Sequence, residues 1–106
     1  MQDRKGVILL FYDIPTKTRK SKKAYREFRK RLKSEGYVQL QESVYALLIR
    51  NKDTSDEKIE RIKYYIPEEG NVFALKLSLK AFNSIIPLSE KRINTGLFSD
   101  DVVYIV

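Results

Sequence analysis

The chain has 106 residues, of which 42% are hydrophobic and 33% charged, and its formal net charge is +7 at pH 7. This length predicts one domain with its own core, and the positive charge favours a polyanionic partner, with nucleic acid the first candidate. The chain has no Cys and no His, which excludes disulfides, thiolate zinc sites and histidine bases, so any chemistry falls to carboxylates, hydroxyls, Lys, Arg or a bound metal.

The first element is an unbroken apolar run, residues 7–12, that ends on an acidic residue. Such a run, without polar alternation, predicts the central strand of a sheet, buried on both faces. Pro15 cannot continue a strand ladder, so Asp13 lies at the C-terminal end of a rigid strand, where its side chain can reach solvent. Asp13 is therefore the candidate for chemistry. The alternative interpretation is an Asx-type turn ahead of Pro15.

A basic segment follows directly. Apolar residues at helical spacing, among them Phe28 and Leu32, predict a helix over residues 22–35 that packs on the sheet, and Gly36 is a natural C-terminal stop. The other helix faces and the loop before it are densely cationic. Glu27 is the only acidic residue between Thr16 and Lys33. We therefore favour a phosphate-contacting surface over an ordinary solvated face.

The middle of the chain predicts a hairpin and a second helix. Residues 37–40 and 44–49 have the character of strands, with a short polar break between them. Thr54 and Glu57 match the capping-box pattern, which predicts a helix start at that point. This helix would present Ile59, Ile62 and Ile66 to the core before Pro67 ends it.

The last part predicts a fourth strand over residues 72–77, a short helical turn near Phe82, and a terminal strand over residues 102–106. The fold class is therefore α+β, a ferredoxin-like β-α-β-β-α-β arrangement with an additional C-terminal strand. We assign residues 1–80 to the ferredoxin-like domain. Residues 81–106 form a C-terminal extension, whose final strand is expected to contact the dimer partner or another protein.

One face of the predicted sheet is left without helices, yet the first and third strands are apolar on both sides. Exposed apolar surface of this kind marks an interface, so we expect a homodimer whose sheets pack face to face. An RNA-recognition module shares this topology, but it presents aromatic residues on the open face for base stacking. Here the open face is expected to be aliphatic.

Several function classes lack their motifs. The sequence contains no GxxxxGK(S/T), GxGxxG, HExxH or GxSxG pattern. No apolar run approaches the roughly 20 residues that span a bilayer. With the lack of Cys, which suits a reducing compartment, this favours a cytoplasmic protein with no membrane partner.

These residues resemble a known family. Residues 7–15 with their Asp-Ile-Pro ending, the basic helix, Gly36-Tyr37 and residues 41–45 together look like the small CRISPR-associated protein of spacer acquisition, most like members from type II systems. The resemblance covers residues 6–78 at least. It implies a ferredoxin-like homodimer that binds double-stranded DNA, the spacer precursor, and bridges subunits of the CRISPR integrase.

The resemblance also implies possible chemistry. Some relatives have been assigned metal-dependent nuclease activity, with the acidic residue of the first strand as ligand of Mg²⁺ or Mn²⁺. On this sequence that residue is Asp13, which is therefore the candidate catalytic and metal-binding residue. Many relatives carry a second acid after the Ser-Val-aromatic motif, where this chain has Ala46. Because this leaves Asp13 nearly alone, we expect weak cleavage.

The predicted contacts to nucleic acid come from the first strand, the basic loop and the helix: Tyr12, Lys17, Arg19, Lys20, Lys23, Arg26 and Lys30. Three functions remain open: a DNA-binding scaffold of spacer integration, a metal-dependent endonuclease built on paired copies of Asp13, and a stand-alone toxin-like ribonuclease of the same fold. The first two are compatible with each other.

Overall fold

The computed structural model describes residues 5–89. Its strands are β1 (Gly6–Asp13), β2 (Val38–Gln41), β3 (Val44–Ile49) and β4 (Asn71–Ser78), and its helices are α1 (Arg19–Ser34), α2 (Ser55–Lys63) and the short α3 (Leu79–Phe82). The strands form one sheet in the order β2-β3-β1-β4, and every neighbouring pair is antiparallel. This confirms the ferredoxin-like prediction. The predicted terminal strand, residues 102–106, and most of the predicted extension lie outside the described residues.

β1 is the central strand, as its composition predicts. It pairs with β3 from Gly6 opposite Ile49 to Phe11 opposite Val44, and with β4 from Gly6 opposite Ser78 to Asp13 opposite Asn71. Successive side chains of a strand point to opposite faces. The even-numbered residues of β1 therefore face the helices, and the odd-numbered residues face the other side, which we call the outer face.

The helix side of the sheet holds the larger core. Ile8, Leu10 and Tyr12 of β1 pack there with residues of both helices, among them Phe28 and Ile62. Phe28 and Leu32 are fully buried, which confirms the predicted apolar face of α1.

The first helix begins three residues earlier than predicted. Thr18 and Ser21 form a capping box, in which the Ser21 backbone N–H donates to Thr18 Oγ1 over 3.0 Å and the Thr18 N–H donates to Ser21 Oγ over 2.9 Å. The basic residues of the first turn, which oppose the helix dipole, masked this start. The predicted C-terminal stop is confirmed: Gly36 has φ 96°, a left-handed conformation that glycine adopts without strain.

The predicted capping box at Thr54 is wrong. Thr54 ends a 3₁₀ turn, Lys52–Thr54, and its side chain makes no capping bond to α2. Its hydroxyl instead donates to the Asn51 carbonyl oxygen over 2.8 Å, while Asn51 Oδ1 accepts the Asp53 N–H over 3.0 Å. The predicted helix start is nevertheless confirmed, because α2 begins at Ser55, directly after Thr54.

The outer face is covered in one part and open in another. Leu79 and Phe82 of α3 pack with Val7, Leu9 and Ala46, and all five are buried. Farther along the sheet, Phe11 is 37% exposed, Phe73 is 70% exposed and Leu75 is 46% exposed. The expectation of an aliphatic outer face is therefore wrong at this end, where two aromatic rings on opposite strand positions, Phe11 and Phe73, meet solvent.

Among the helices of residues 5–89, none has the length and apolar character needed to cross a membrane.

Candidate nucleic-acid interface

Five of the cations of α1 follow one side of the helix. Arg19, Lys23, Arg26 and Lys30 are separated by four, three and four residues, which places them on one side of a helix. With Lys33 they define what we call the cationic stripe. All five are exposed. A shallow groove of about 460 Å³ follows this side of the helix, lined by Lys23, Arg26, Glu27, Arg29, Lys30 and Lys33.

The charge of the cationic stripe is not neutralised within the described part of the chain. Ion pairs of the described residues include Arg61 with Glu35, Lys63 with Glu60, and Lys76 with Asp56. None of them uses a residue of the stripe, and Glu27 is the only acid lining the groove. Cations held close together without acidic partners repel one another, and a phosphate backbone relieves that repulsion.

Arg29 is a residue of the groove that the sequence analysis did not place in the site. Its Nε–H donates to the Tyr45 hydroxyl over 3.1 Å, and its Nη2 lies 3.5 Å from Gln39 Oε1. The guanidinium carbon lies 5.5 Å from the centroid of the Tyr25 ring. The hydrogen bond to Tyr45 raises the pKa of Arg29 above its usual value. Arg29 is therefore a cation of the groove that is oriented by contacts with other side chains, and its partner on β3 is remote in sequence.

The structure separates the other predicted cations. Lys17 is exposed in the loop before α1, close to the start of the stripe in sequence. Lys20 is also exposed, but it lines a different and smaller pocket of about 120 Å³ together with Glu68 and Glu69. Of the predicted basic residues, Arg19, Lys23, Arg26 and Lys30 thus share one surface, and Lys20 lies beside acidic residues.

Tyr12 belongs to the core. Its side chain is buried on the helix side of the sheet, and its hydroxyl donates to the Glu42 carbonyl oxygen over 2.9 Å. Its ring lies 5.5 Å from that of Phe28 and 5.9 Å from that of Tyr45, centroid to centroid. Burial, followed by the neighbouring tyrosine hydroxyls, raises the pKa of Tyr12. We therefore assign Tyr12 to core packing and not to the nucleic-acid interface.

Asp13 is exposed at the end of β1, on the outer face, opposite Asn71 of β4. Within residues 5–89 its carboxylate makes no hydrogen bond, so the alternative of an Asx-type turn ahead of Pro15 is not formed. Nor does this part of the chain contain a group of three acidic residues able to hold a metal ion. Mg²⁺ takes an octahedron of oxygen ligands, and one carboxylate of one chain does not supply a site for it.

These features define a class: a small ferredoxin-like protein with a cationic helix on one side of its sheet and a partly open apolar face on the other. The sequence profile of the family described as CRISPR associated protein Cas2 matches residues 7–85. The chain therefore belongs to the Cas2 family.

Individual relatives agree with this assignment. The chain is 38% identical over 94 residues to the CRISPR-associated endoribonuclease Cas2 of Streptococcus mutans, which covers 89% of this chain and 87% of that protein. It is 35% identical over 86 residues to the protein of the same name from Ligilactobacillus salivarius, covering 81% of this chain and 85% of the relative. The Acidovorax ebreus protein of that name is 32% identical over 95 residues, covering 84% of this chain and 93% of the relative.

Proposed function

We propose that this protein acts in CRISPR adaptation as a homodimer that binds duplex DNA and bridges subunits of the integrase. The observation that carries the DNA-binding part is the cationic stripe of α1, a line of exposed cations without acidic partners in residues 5–89. Such a surface contacts phosphates and carries no sequence information, which suits spacer precursors of arbitrary sequence. Membership of the Cas2 family supports this role over that of a stand-alone ribonuclease.

The test compares two triple variants of equal charge. Lys23→Gln, Arg26→Gln and Lys30→Gln together remove the centre of the stripe, whereas Lys52→Gln, Lys63→Gln and Lys80→Gln remove three exposed cations from other elements. Duplex affinity is measured by fluorescence anisotropy across a range of salt concentrations. Each phosphate contact contributes about −0.9 to the log–log salt slope, so the stripe variant should lose about 2.7 from its magnitude.

The control triple should leave the slope nearly unchanged. Equal losses in the two variants would mean that net charge alone drives binding, and the stripe would not be the interface. Affinity of the wild-type protein that does not vary with salt would rule out the electrostatic basis altogether.

The dimer is proposed to form through the outer face. Its support is the exposed apolar end of that face, with Phe11, Phe73 and Leu75, since removing such area from water contributes about 25 cal/mol per Å². Sedimentation should show a dimer for the wild-type protein and a shift toward monomer for Phe11→Ser with Phe73→Ser. A soluble wild-type monomer at high concentration would contradict the proposal.

A second candidate function is metal-dependent endonuclease activity. It is favoured by the position of Asp13, which is exposed on the outer face beside the apolar end. A two-fold dimer across that face would bring two copies of Asp13 together if its axis passes close to this residue, and their repulsion would then favour a shared Mg²⁺ or Mn²⁺. The relatives named above are called endoribonucleases, so RNA and DNA are both substrates to be tested.

One variant in two assays decides whether this activity matters. Asp13→Asn should abolish metal-dependent cleavage and leave dimerisation, duplex binding and spacer integration with the integrase intact. If integration stops while duplex binding and assembly persist, Asp13 is catalytic for acquisition and the pure scaffold proposal is wrong.

A further inference from the structure

A second cleft lies on the helix side of the molecule, next to the cationic stripe. It has a volume of about 620 Å³ and opens between the C-terminal half of α1 and the segment that connects α2 to β4. Its lining combines apolar, aromatic and charged side chains, among them Glu27, Lys30, Arg31, Tyr64, Tyr65 and Ile66. Of the cationic stripe, Lys30 alone lines this cleft, and the proposed Asp13 chemistry does not involve it.

Two tyrosines at the end of α2 form one wall. Tyr64 is 87% exposed, so its ring contributes almost nothing to the core. The guanidinium carbon of Arg31 lies 3.9 Å from the centroid of the Tyr65 ring, a close cation–π contact. An exposed aromatic ring and a flat guanidinium are the two kinds of surface on which an unpaired nucleobase stacks.

The charged residues of the cleft complement the rest of a nucleotide. Lys30 and Arg31 supply cations for a phosphate, and Arg31 presents donors in a planar fork that matches phosphate oxygens. Glu27 has no ion pair within residues 5–89, and its carboxylate can accept a hydrogen bond from an exocyclic amino group. Phe28, Ile66 and Pro67 supply the apolar part of the lining.

The cleft also adjoins the proposed duplex surface. Glu27 and Lys30 line both the cleft and the groove along the cationic stripe. A strand that leaves a duplex held on the stripe would therefore meet the tyrosines without crossing an uncharged region.

We propose that this cleft binds an unpaired nucleotide, with its base against Tyr64 and Arg31 and its phosphate beside Lys30. The nucleotide could belong to an unpaired extension of a duplex. In that case the proposal rests on the proposed function, because the cationic stripe would hold the duplex from which the strand departs. The same chemistry would also accept a free nucleotide, and the experiment distinguishes the two sources.

The test uses the full chain and three ligands: a blunt duplex, the same duplex with an unpaired extension of about six nucleotides, and a free mononucleotide. Tyr64→Ala removes the ring, and Tyr64→Phe is the matched control that keeps it. Stacking of one base is expected to make the extended duplex bind about five-fold more tightly than the blunt duplex, in the wild type and in Tyr64→Phe. Tyr64→Ala should lose this advantage and keep the affinity for the blunt duplex.

The mononucleotide could bind in a way that depends on Tyr64 while the extended duplex binds no more tightly than the blunt duplex. That result would assign the cleft to a free nucleotide. If Tyr64→Ala changes binding of none of the three ligands, the proposal is overturned. Equal losses of affinity for the blunt and the extended duplex in Tyr64→Ala would overturn the proposal as well.

A failure of the proposed duplex-binding function can be distinguished from a failure of the cleft proposal. Lys23→Gln with Arg26→Gln alters only the stripe and should weaken blunt and extended duplexes alike. If the wild type does not bind blunt duplex, the duplex-binding function is wrong, and the dependence on Tyr64 is then measured with the single strand alone.

Discussion

The two faces of the sheet are built from the same strands but are covered in different ways. On the helix side, Phe28, Leu32 and Ile62 close over Tyr12 and Tyr45, and each of these five residues is at most 6% exposed. On the outer face, α3 covers only the end near Val7 and Leu9, and at the other end Phe73 remains 70% exposed. An unbroken apolar strand therefore predicts that both faces of the sheet need to be buried, but the residues that the structure describes bury only part of the outer face.

The difference also separates two kinds of residue at the end of β1. Tyr12 and Asp13 are neighbours in sequence, but Tyr12 is held in the core by its ring contacts and its hydrogen bond to Glu42, whereas Asp13 is exposed on the outer face. The helix side thus gives stability, and the outer face keeps groups available for another molecule.

The largest expected effect on the free energy of unfolding distinguishes the two faces of the sheet directly. Phe28→Ala should lower the free energy of unfolding by about 3–5 kcal/mol, because it leaves a cavity in a closed core. Phe73→Ala should cost less than about 0.5 kcal/mol in the monomer, because that ring already meets solvent. Chemical denaturation at low and high protein concentration measures both. A cost for Phe73→Ala that grows with concentration would support the dimer, and equal costs in dilute solution would contradict the contrast between the faces.

The next largest expected effect is the dependence of folding stability on pH. The Tyr37 hydroxyl is buried and has no hydrogen-bond partner in the part of the chain that the structure describes, and burial raises its pKa to about 12. The pKa of Tyr37 in the folded state lies above its unfolded value near 10. The stability of the fold that depends on a neutral Tyr37 hydroxyl is therefore fully present below about pH 10 and is lost as the pH rises to about 12.

The expected loss across this window is roughly 2 kcal/mol relative to Tyr37→Phe, which has no hydroxyl to ionise. Unfolding of both proteins at several pH values between neutral and strongly alkaline measures the difference. Tyr37→Phe should be at least as stable as the wild type at neutral pH, since it removes an unpaired polar atom. Parallel pH profiles would show that Tyr37 ionises freely in the folded state.

A smaller effect is expected where the helix side meets the cationic groove. Tyr45→Phe removes the hydroxyl that accepts from Arg29 Nε and should cost about 1 kcal/mol. It should also weaken duplex binding modestly, because Arg29 loses its fixed orientation. Tyr64→Phe, whose hydroxyl belongs to a largely exposed side chain, is the stability control. No loss in Tyr45→Phe would mean that water replaces the hydrogen bond without cost.

The smallest effect is expected at Asp13. Asp13→Asn should change the free energy of unfolding by less than about 0.5 kcal/mol in metal-free buffer, because the carboxylate is exposed and makes no hydrogen bond within residues 5–89. Thermal unfolding with and without Mg²⁺ tests this. A loss above about 1 kcal/mol without metal would give Asp13 a structural role.

The sequence by itself determined the order of the elements and their ferredoxin-like topology. The apolar run of β1, the helical spacing of Phe28 and Leu32 and the stop at Gly36 are local patterns, and local periodicity carries that information. The cationic stripe was also predictable, because its members follow the helical repeat. The start of α1 was missed because its capping box pairs Thr18 with Ser21 in place of the usual Glu or Gln.

Only the tertiary structure decided which side of each element is buried and which is exposed. Strand alternation puts Tyr12 and Asp13 on opposite faces, but the packing of α1 and α2 determines that Tyr12 is the buried one. Arg29 acquires its orientation from Tyr45, and the cleft beside Arg31 depends on Tyr65, contacts between residues far apart in sequence. Such contacts follow no local repeat, so they become visible only when the folded chain brings α1 against β3 and the end of α2.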